Sequence, residues 1–155
     1  MPDTRTHEAA QPQGRLCHVC DIRTNTPEES VVFTSDLWTA TLAADVPGWI
    51  MITLNRHGSD WLWGLSPEEA LTLGPLMQRL SEAARTEAGA ERVYLMGFGE
   101  KWQHFHFMLL SRPVTVPEDL RGPGLLEKAP ELADRREALR LGSSIRKRLA
   151  ASDGQ

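Results

Sequence analysis

The 155-residue chain carries 17 Lys+Arg against 21 Asp+Glu, a formal net charge of −4, with 41% hydrophobic and 25% charged residues. That length and balance fit one soluble domain able to bury a single core, and the negative charge argues against a dedicated duplex-nucleic-acid binder, which concentrates cations. No apolar run nears the roughly 18 residues of a bilayer crossing, and residues 1–13 lack the basic head and apolar stretch of a signal peptide, so the expected location is the cytoplasm, with no membrane partner.

Residues 1–14 hold Pro2, Pro12 and Gly14 without apolar periodicity and read as a flexible tail, leaving 15–150 as a single domain. Cys17 and Cys20 are the only cysteines, spaced C-x-x-C; in a cytosolic chain such a pair is a metal half-site or a redox pair sooner than a disulfide. Residues 21–29, with Asn25 and Pro27, read as loop. Residues 31–34 and 37–42 are apolar or β-branched runs split by Ser35-Asp36, the pattern of a hairpin. Pro47-Gly48 marks a turn, and residues 49–54 form an apolar run of central-strand type.

A helix starts at Ser66, with proline at its first position and Glu69 placed to close a capping box. Leu73, Leu76, Met77, Leu80, Ala83 and Ala84 follow on one face, and Gly89 stops it. Residues 92–98 and 103–110 read as strands around a tight connection at 99–101. A final helix is expected over about 130–149, its Arg135, Arg136, Arg140, Arg146, Lys147 and Arg148 making a solvated basic face in preference to a phosphate patch. The order predicts an α+β fold, a mainly antiparallel sheet with one long helix across it and a C-terminal helix.

If residues 103–112 are a strand, its period of two puts His104, His106 and Met108 on one face and Phe105, Phe107 and Leu109 on the other. The run His104-Phe-His106-Phe-Met108-Leu-Leu110 followed by Arg112 resembles the signature strand of the histidine triad superfamily. Met108 stands where most members have the third histidine and where the galactose-1-phosphate uridylyltransferase branch has glutamine. A thioether cannot donate a hydrogen bond to a phosphate or leaving group. The resemblance spans roughly residues 16–112, taking in Asp36-Leu-Trp38, residues 47–52, Asn55-Arg56-His57 and Leu65-Ser-Pro-Glu-Glu69. It implies a histidine-triad-like fold, often paired as a homodimer with a shared ten-stranded sheet.

Several proteins of this type carry a zinc bound by an N-terminal C-x-x-C, a histidine after a middle strand and the first histidine of the signature strand. By that likeness Cys17, Cys20, His57 and His104 are the metal ligands. Two thiolates and two imidazoles suit a tetrahedral, structural Zn²⁺ with no open position. His18, between the cysteines, ranks below His57 as a ligand, and a redox pair is disfavoured because no thioredoxin-like βαβ unit surrounds the cysteines.

The resemblance further implies that His106 attacks an α-phosphorus to form a nucleotidyl-histidine, with His104 beside it and Gln103, Arg112, Met108 and Asn55 as substrate contacts. The expected ligand is a nucleotide or nucleotide ester such as a dinucleoside polyphosphate. Backbone N–H groups at 97–100 are candidate phosphate donors, although acidic Glu100 is an odd neighbour for phosphate. Trp38 or Trp49 could wall a base pocket, with core packing the simpler role. The alternative is a catalytically weak or inactive nucleotide-binding module of the same fold, motivated by Met108 and the short loop before the strand.

Overall fold

The structure, a computed structural model, describes residues 17–152; the expected tail at 1–14 lies outside them. Five strands form one antiparallel sheet, β1 (Val31–Thr34), β2 (Trp38–Leu42), β3 (Trp49–Leu54), β4 (Arg92–Met96) and β5 (His106–Arg112), in the spatial order β1-β2-β3-β5-β4. The hairpin and the central strand stand where alternation and turn residues put them. β3 is buried along its whole length, as befits a run with no polar face.

Rows of side chains cross the sheet because paired residues share a face. Ala40, Ile52 and Phe107 make one row, and Leu42, Ile50, Leu109 and Leu95 the next. This face packs under α2 (Pro67–Glu87), whose Leu73, Leu76, Leu80, Ala83 and Ala84 are buried against it, and under α4 (Arg135–Ser152). The opposite face carries Trp49, Met51 and Leu110 beneath Val116 and Leu125 from the segment after β5. Trp38 and Trp49 are each 1% exposed, and their indole N–H groups donate to Thr72 Oγ1 and the Ser111 carbonyl. Both tryptophans are therefore core, not walls of an open pocket.

The capping box of α2 is complete: the Glu69 amide donates to Ser66 Oγ at 3.2 Å, and the Ser66 amide donates to Glu69 Oε2 at 2.7 Å. Among the described residues no helix is long and apolar enough to cross a membrane.

Three expectations need correction. Residues 18–25, assigned largely to loop, form α1 (His18–Asn25); eight residues make no stable helix alone, and this one is held by buried Val19 and by the two cysteines that open it. β5 begins at His106 instead of 103, since the Phe105 amide leaves the ladder and donates to the Ser59 carbonyl. The C-terminal helix is two, α3 (Ala129–Leu132) and α4, because Asp134 breaks the run and caps the second, accepting from the Glu137 amide at 3.0 Å.

Candidate catalytic and metal site

The approach to β5 brings four separated sequence positions together. Cys17 and Cys20 arrive on the first turn of α1, His57 on the loop after β3, and His104 on the segment entering β5. His104 Nδ1 lies 3.3 Å from both Cys17 Sγ and Cys20 Sγ, and His57 Nδ1 lies 3.6 Å from Cys20 Sγ. The four ligand atoms fall within 4.8 Å of one another.

The second nitrogen of His104 explains its orientation. Nε2 is 2.7 Å from the Leu54 carbonyl; a carbonyl only accepts, so Nε2 carries the proton and the lone pair on Nδ1 faces the sulfurs. Burial pushes this imidazole below the ordinary histidine range, against the opposing pull of the Leu54 carbonyl and with the help of His57, His106 and Arg23. His104 is thus kept neutral. Burial, then the Cys17 thiol, pushes the Cys20 thiol up. A cation between the two sulfurs would oppose that rise at Cys20.

The donor set fits a tetrahedral zinc. Zn–S bonds near 2.3 Å and Zn–N bonds near 2.0–2.1 Å imply sulfur–nitrogen edges of about 3.6 Å, close to the 3.3–3.6 Å contacts observed. All four positions are filled by protein, the condition of a structural ion.

The loop bearing His57 is fixed from below. The Arg56 guanidinium donates to both oxygens of Glu69, at 2.6 and 2.8 Å, and to the Gly64 carbonyl at 2.8 Å. Glu69 is 3% exposed, and the Arg56 bonds hold its carboxyl below the usual carboxylate range despite burial.

His106 is the first residue of β5, half-buried, opposite Thr53 on β3. Its Nδ1 donates to the His104 carbonyl at 2.6 Å. That bond leaves the lone pair on Nε2, the nitrogen not engaged by the backbone. The Trp102 ring lies against it, centroids 5.6 Å apart, and the His18 ring lies 4.5 Å from Trp102. Lys101 Nζ sits 5.6 Å from the Trp102 ring centroid. An imidazole with a fixed tautomer, one aromatic flank and a lysine on that flank has the chemistry to attack an electrophile such as phosphorus.

Gln103 is exposed on the same loop, and Met108 lies two residues along the strand from His106. Two expected substrate contacts are bonded to the scaffold. Arg112 is at the other end of β5, about 20 Å away for six residues of strand; it is 3% exposed and donates to Glu91 at 2.8 Å and to the Pro113 carbonyl. Asn55 accepts from Thr39 and donates to the Ser35 and Asp36 carbonyls, so its amide closes the hairpin turn.

Residues 97–100 also serve a packing purpose. A Cβ at Gly97 would meet Trp61 at 3.0 Å and Phe107 at 3.2 Å, and Gly99 has φ +67 with Trp61 at 3.1 Å. The glycines make room for an indole. Sequence reasoning left Trp102 and His18 without a role at His106; the alternation of β5 says nothing about a loop residue that folds back over it. His18 lies outside the four-residue cluster. The basic face of α4 is largely paired, Arg135 with Asp45, Arg140 with Glu137 and Arg148 with Glu87.

No protein-family model matches the chain, and no curated protein matches it. Solved structures do. A zinc-bound histidine triad family protein from Mycobacterium smegmatis superposes with a TM-score of 0.60 at 21% identity, over 89% of this chain and 96% of that one. A hypothetical histidine triad nucleotide-binding protein from Sulfolobus tokodaii gives a TM-score of 0.65 at 16% identity, over 87% and 93%. A uridylyltransferase mutant gives 0.58 at 22%, over 84% of this chain and 47% of that one. At such identities the shared property is architecture, and by that measure the chain has the histidine-triad fold.

Proposed function

We propose that this protein is a nucleotide-binding histidine-triad-like enzyme, a nucleotidyl hydrolase or transferase acting at an α-phosphate through His106. The observation that carries the reading is the fixed tautomer of His106, with Nδ1 bonded to the His104 carbonyl and the lone pair on Nε2 at a half-buried position. Nε2 attacks phosphorus, the leaving group departs, and water or another acceptor cleaves the nucleotidyl-histidine. Lys101, Gln103 and the Trp102 indole N–H are the donors on hand for anionic oxygens. Arg112, bonded to Glu91 at the far end of β5, takes no part.

Cys17, Cys20, His57 and His104 hold a zinc ion in this reading. When bound, the ion ties α1 to the sheet and fixes the carbonyl of His104 on which His106 is oriented; it holds no substrate. The protein acts as a homodimer in the cytoplasm, the unpaired edge of β4 with exposed Leu95 and Phe98 supporting a sheet that continues into a second copy. A dinucleoside polyphosphate is the substrate type we favour.

Mass spectrometry after incubation with nucleotide substrates tests this. The parent should form an adduct on His106, and His106→Ala should lose both adduct and turnover, by about 10⁴-fold or more. Parental turnover by His106→Ala refutes the assignment. A second reading, a module that binds nucleotide without efficient turnover, is favoured by Met108 and by acidic Glu100 in the loop; calorimetric binding with no turnover supports it.

A further inference from the structure

His106 is aimed by two contacts that differ in kind. Its Nδ1 donates to the His104 carbonyl at 2.6 Å, which fixes the tautomer and one edge of the ring. The last torsion of a histidine side chain is broad, so a single bond at one edge leaves the ring free to rock about it. The second contact is the Trp102 ring, with centroids 5.6 Å apart and planes at 44°. Trp102 therefore limits the swing of Nε2, the nitrogen that keeps the lone pair.

Trp102 in turn needs a support, because residues 97–105 form neither helix nor strand. The two ends of this loop are fastened. Gly97 and Gly99 pack on Trp61, and the Phe105 amide donates to the Ser59 carbonyl at 2.6 Å. Between those ends the Trp102 ring rests on the ring of His18, with centroids 4.5 Å apart at 48°. His18 is exposed and is the first residue of α1, directly after Cys17. Its backbone is thus placed by the cluster of Cys17, Cys20, His57 and His104, while its own ring lies outside that cluster and against the loop. Both supports of His106 lead back to the same cluster, one through the His104 carbonyl and one through α1.

We propose that His18 is a positioning residue, whose ring braces Trp102 against His106 and so holds the reactive imidazole in one orientation. The inference rests on His106 being the nucleophile, although its first readout does not. A tilted ring pair at this separation acts as a packing surface, so the nitrogens of His18 are not needed and another flat ring of similar size serves as well.

The test compares the full-length, metal-loaded parent with His18→Ala and His18→Phe. His18→Ala should keep the metal content of the parent and the protection of β3 and β5, while amide hydrogen exchange over residues 100–105 quickens about three- to tenfold. Its kcat toward nucleotide substrates should fall by a similar factor, with KM moved by less than about twofold, since nothing that touches substrate has been removed. His18→Phe should restore both the exchange rate and kcat. The double variant His18→Ala/Trp102→Ala should be no slower than Trp102→Ala alone, as expected of two residues acting in series. Unchanged exchange over 100–105 in His18→Ala, additive losses in the double variant, or failure of His18→Phe to restore kcat overturns the inference. Lost metal in His18→Ala overturns it as well, because His18 would then serve the cluster directly. Absence of turnover and of any adduct in the parent, with the exchange response intact, refutes the His106 chemistry and leaves the brace on Trp102 standing.

Discussion

His104 and His106 are the same residue type two positions apart, and the backbone decides which nitrogen each can use. His104 donates its Nε2–H to the Leu54 carbonyl and turns Nδ1 to the cysteines; His106 donates its Nδ1–H to the His104 carbonyl and keeps its lone pair on Nε2. The H-x-H spacing marked the pair through its resemblance to the signature strand, although only His106 lies on β5 and His104 sits on the segment that enters it. Arg112 shares the period of two with His106 and lies on the same face, but at the far end, where Glu91 takes it. Alternation reports a face and not a partner. Trp102, which no periodicity marks, is the side chain against His106. Replacing it with alanine should lower kcat by about 10- to 100-fold, the cost of a loosely aimed nucleophile, with the fold intact by circular dichroism; an unchanged kcat removes Trp102 from the site.

At the scale of elements, α1 is the dependent one. It is short, begins with two ligand cysteines and buries only Val19. Chelating the metal, or changing Cys20 to alanine, should release it. Hydrogen exchange over residues 18–25 should then become fast while the centre of the sheet stays protected, and metal analysis of the parent should find one zinc per chain. Protection unchanged after metal removal would separate α1 from the ion. Helix α2 contributes the second anchor. Glu69 closes its capping box and also holds Arg56 beneath the His57 loop, so Glu69→Gln should cost about 2 kcal/mol at pH 7 in urea unfolding. Because the folded-state pKa of Glu69 is depressed, its stabilisation is present above the ordinary value near 4.5 and is lost as pH falls through the folded value. The Glu69→Gln difference should therefore shrink at acid pH. The capping box was readable as Ser66-Pro-Glu-Glu69, but the ion pair was not: nothing local links Arg56 to a helix that starts eleven residues later.

For the whole molecule, the edge strand β4 leaves Leu95 54% and Phe98 67% exposed, and pairing with a second copy would cover that edge. Sedimentation should give a mass near twice 17.3 kDa, and Leu95→Lys should halve it; a parent monomer excludes the paired sheet. Sequence by itself determined the strands of the hairpin, the buried β3 and the extent of α2. Each of these follows from short-range chemistry, namely alternation, an apolar run or a cap, whereas the set Cys17, Cys20, His57 and His104 came from the family resemblance and is brought together only by the fold. Only the tertiary structure decided that residues 18–25 are helical, that His104 belongs to the metal cluster by its Nδ1 face, that Asn55 and Arg112 bond to the scaffold, and that Trp102 lies against His106. Those facts depend on which chain segments meet across the sheet, and contacts between residues 87 positions apart, as between Cys17 and His104, leave no trace in a local pattern.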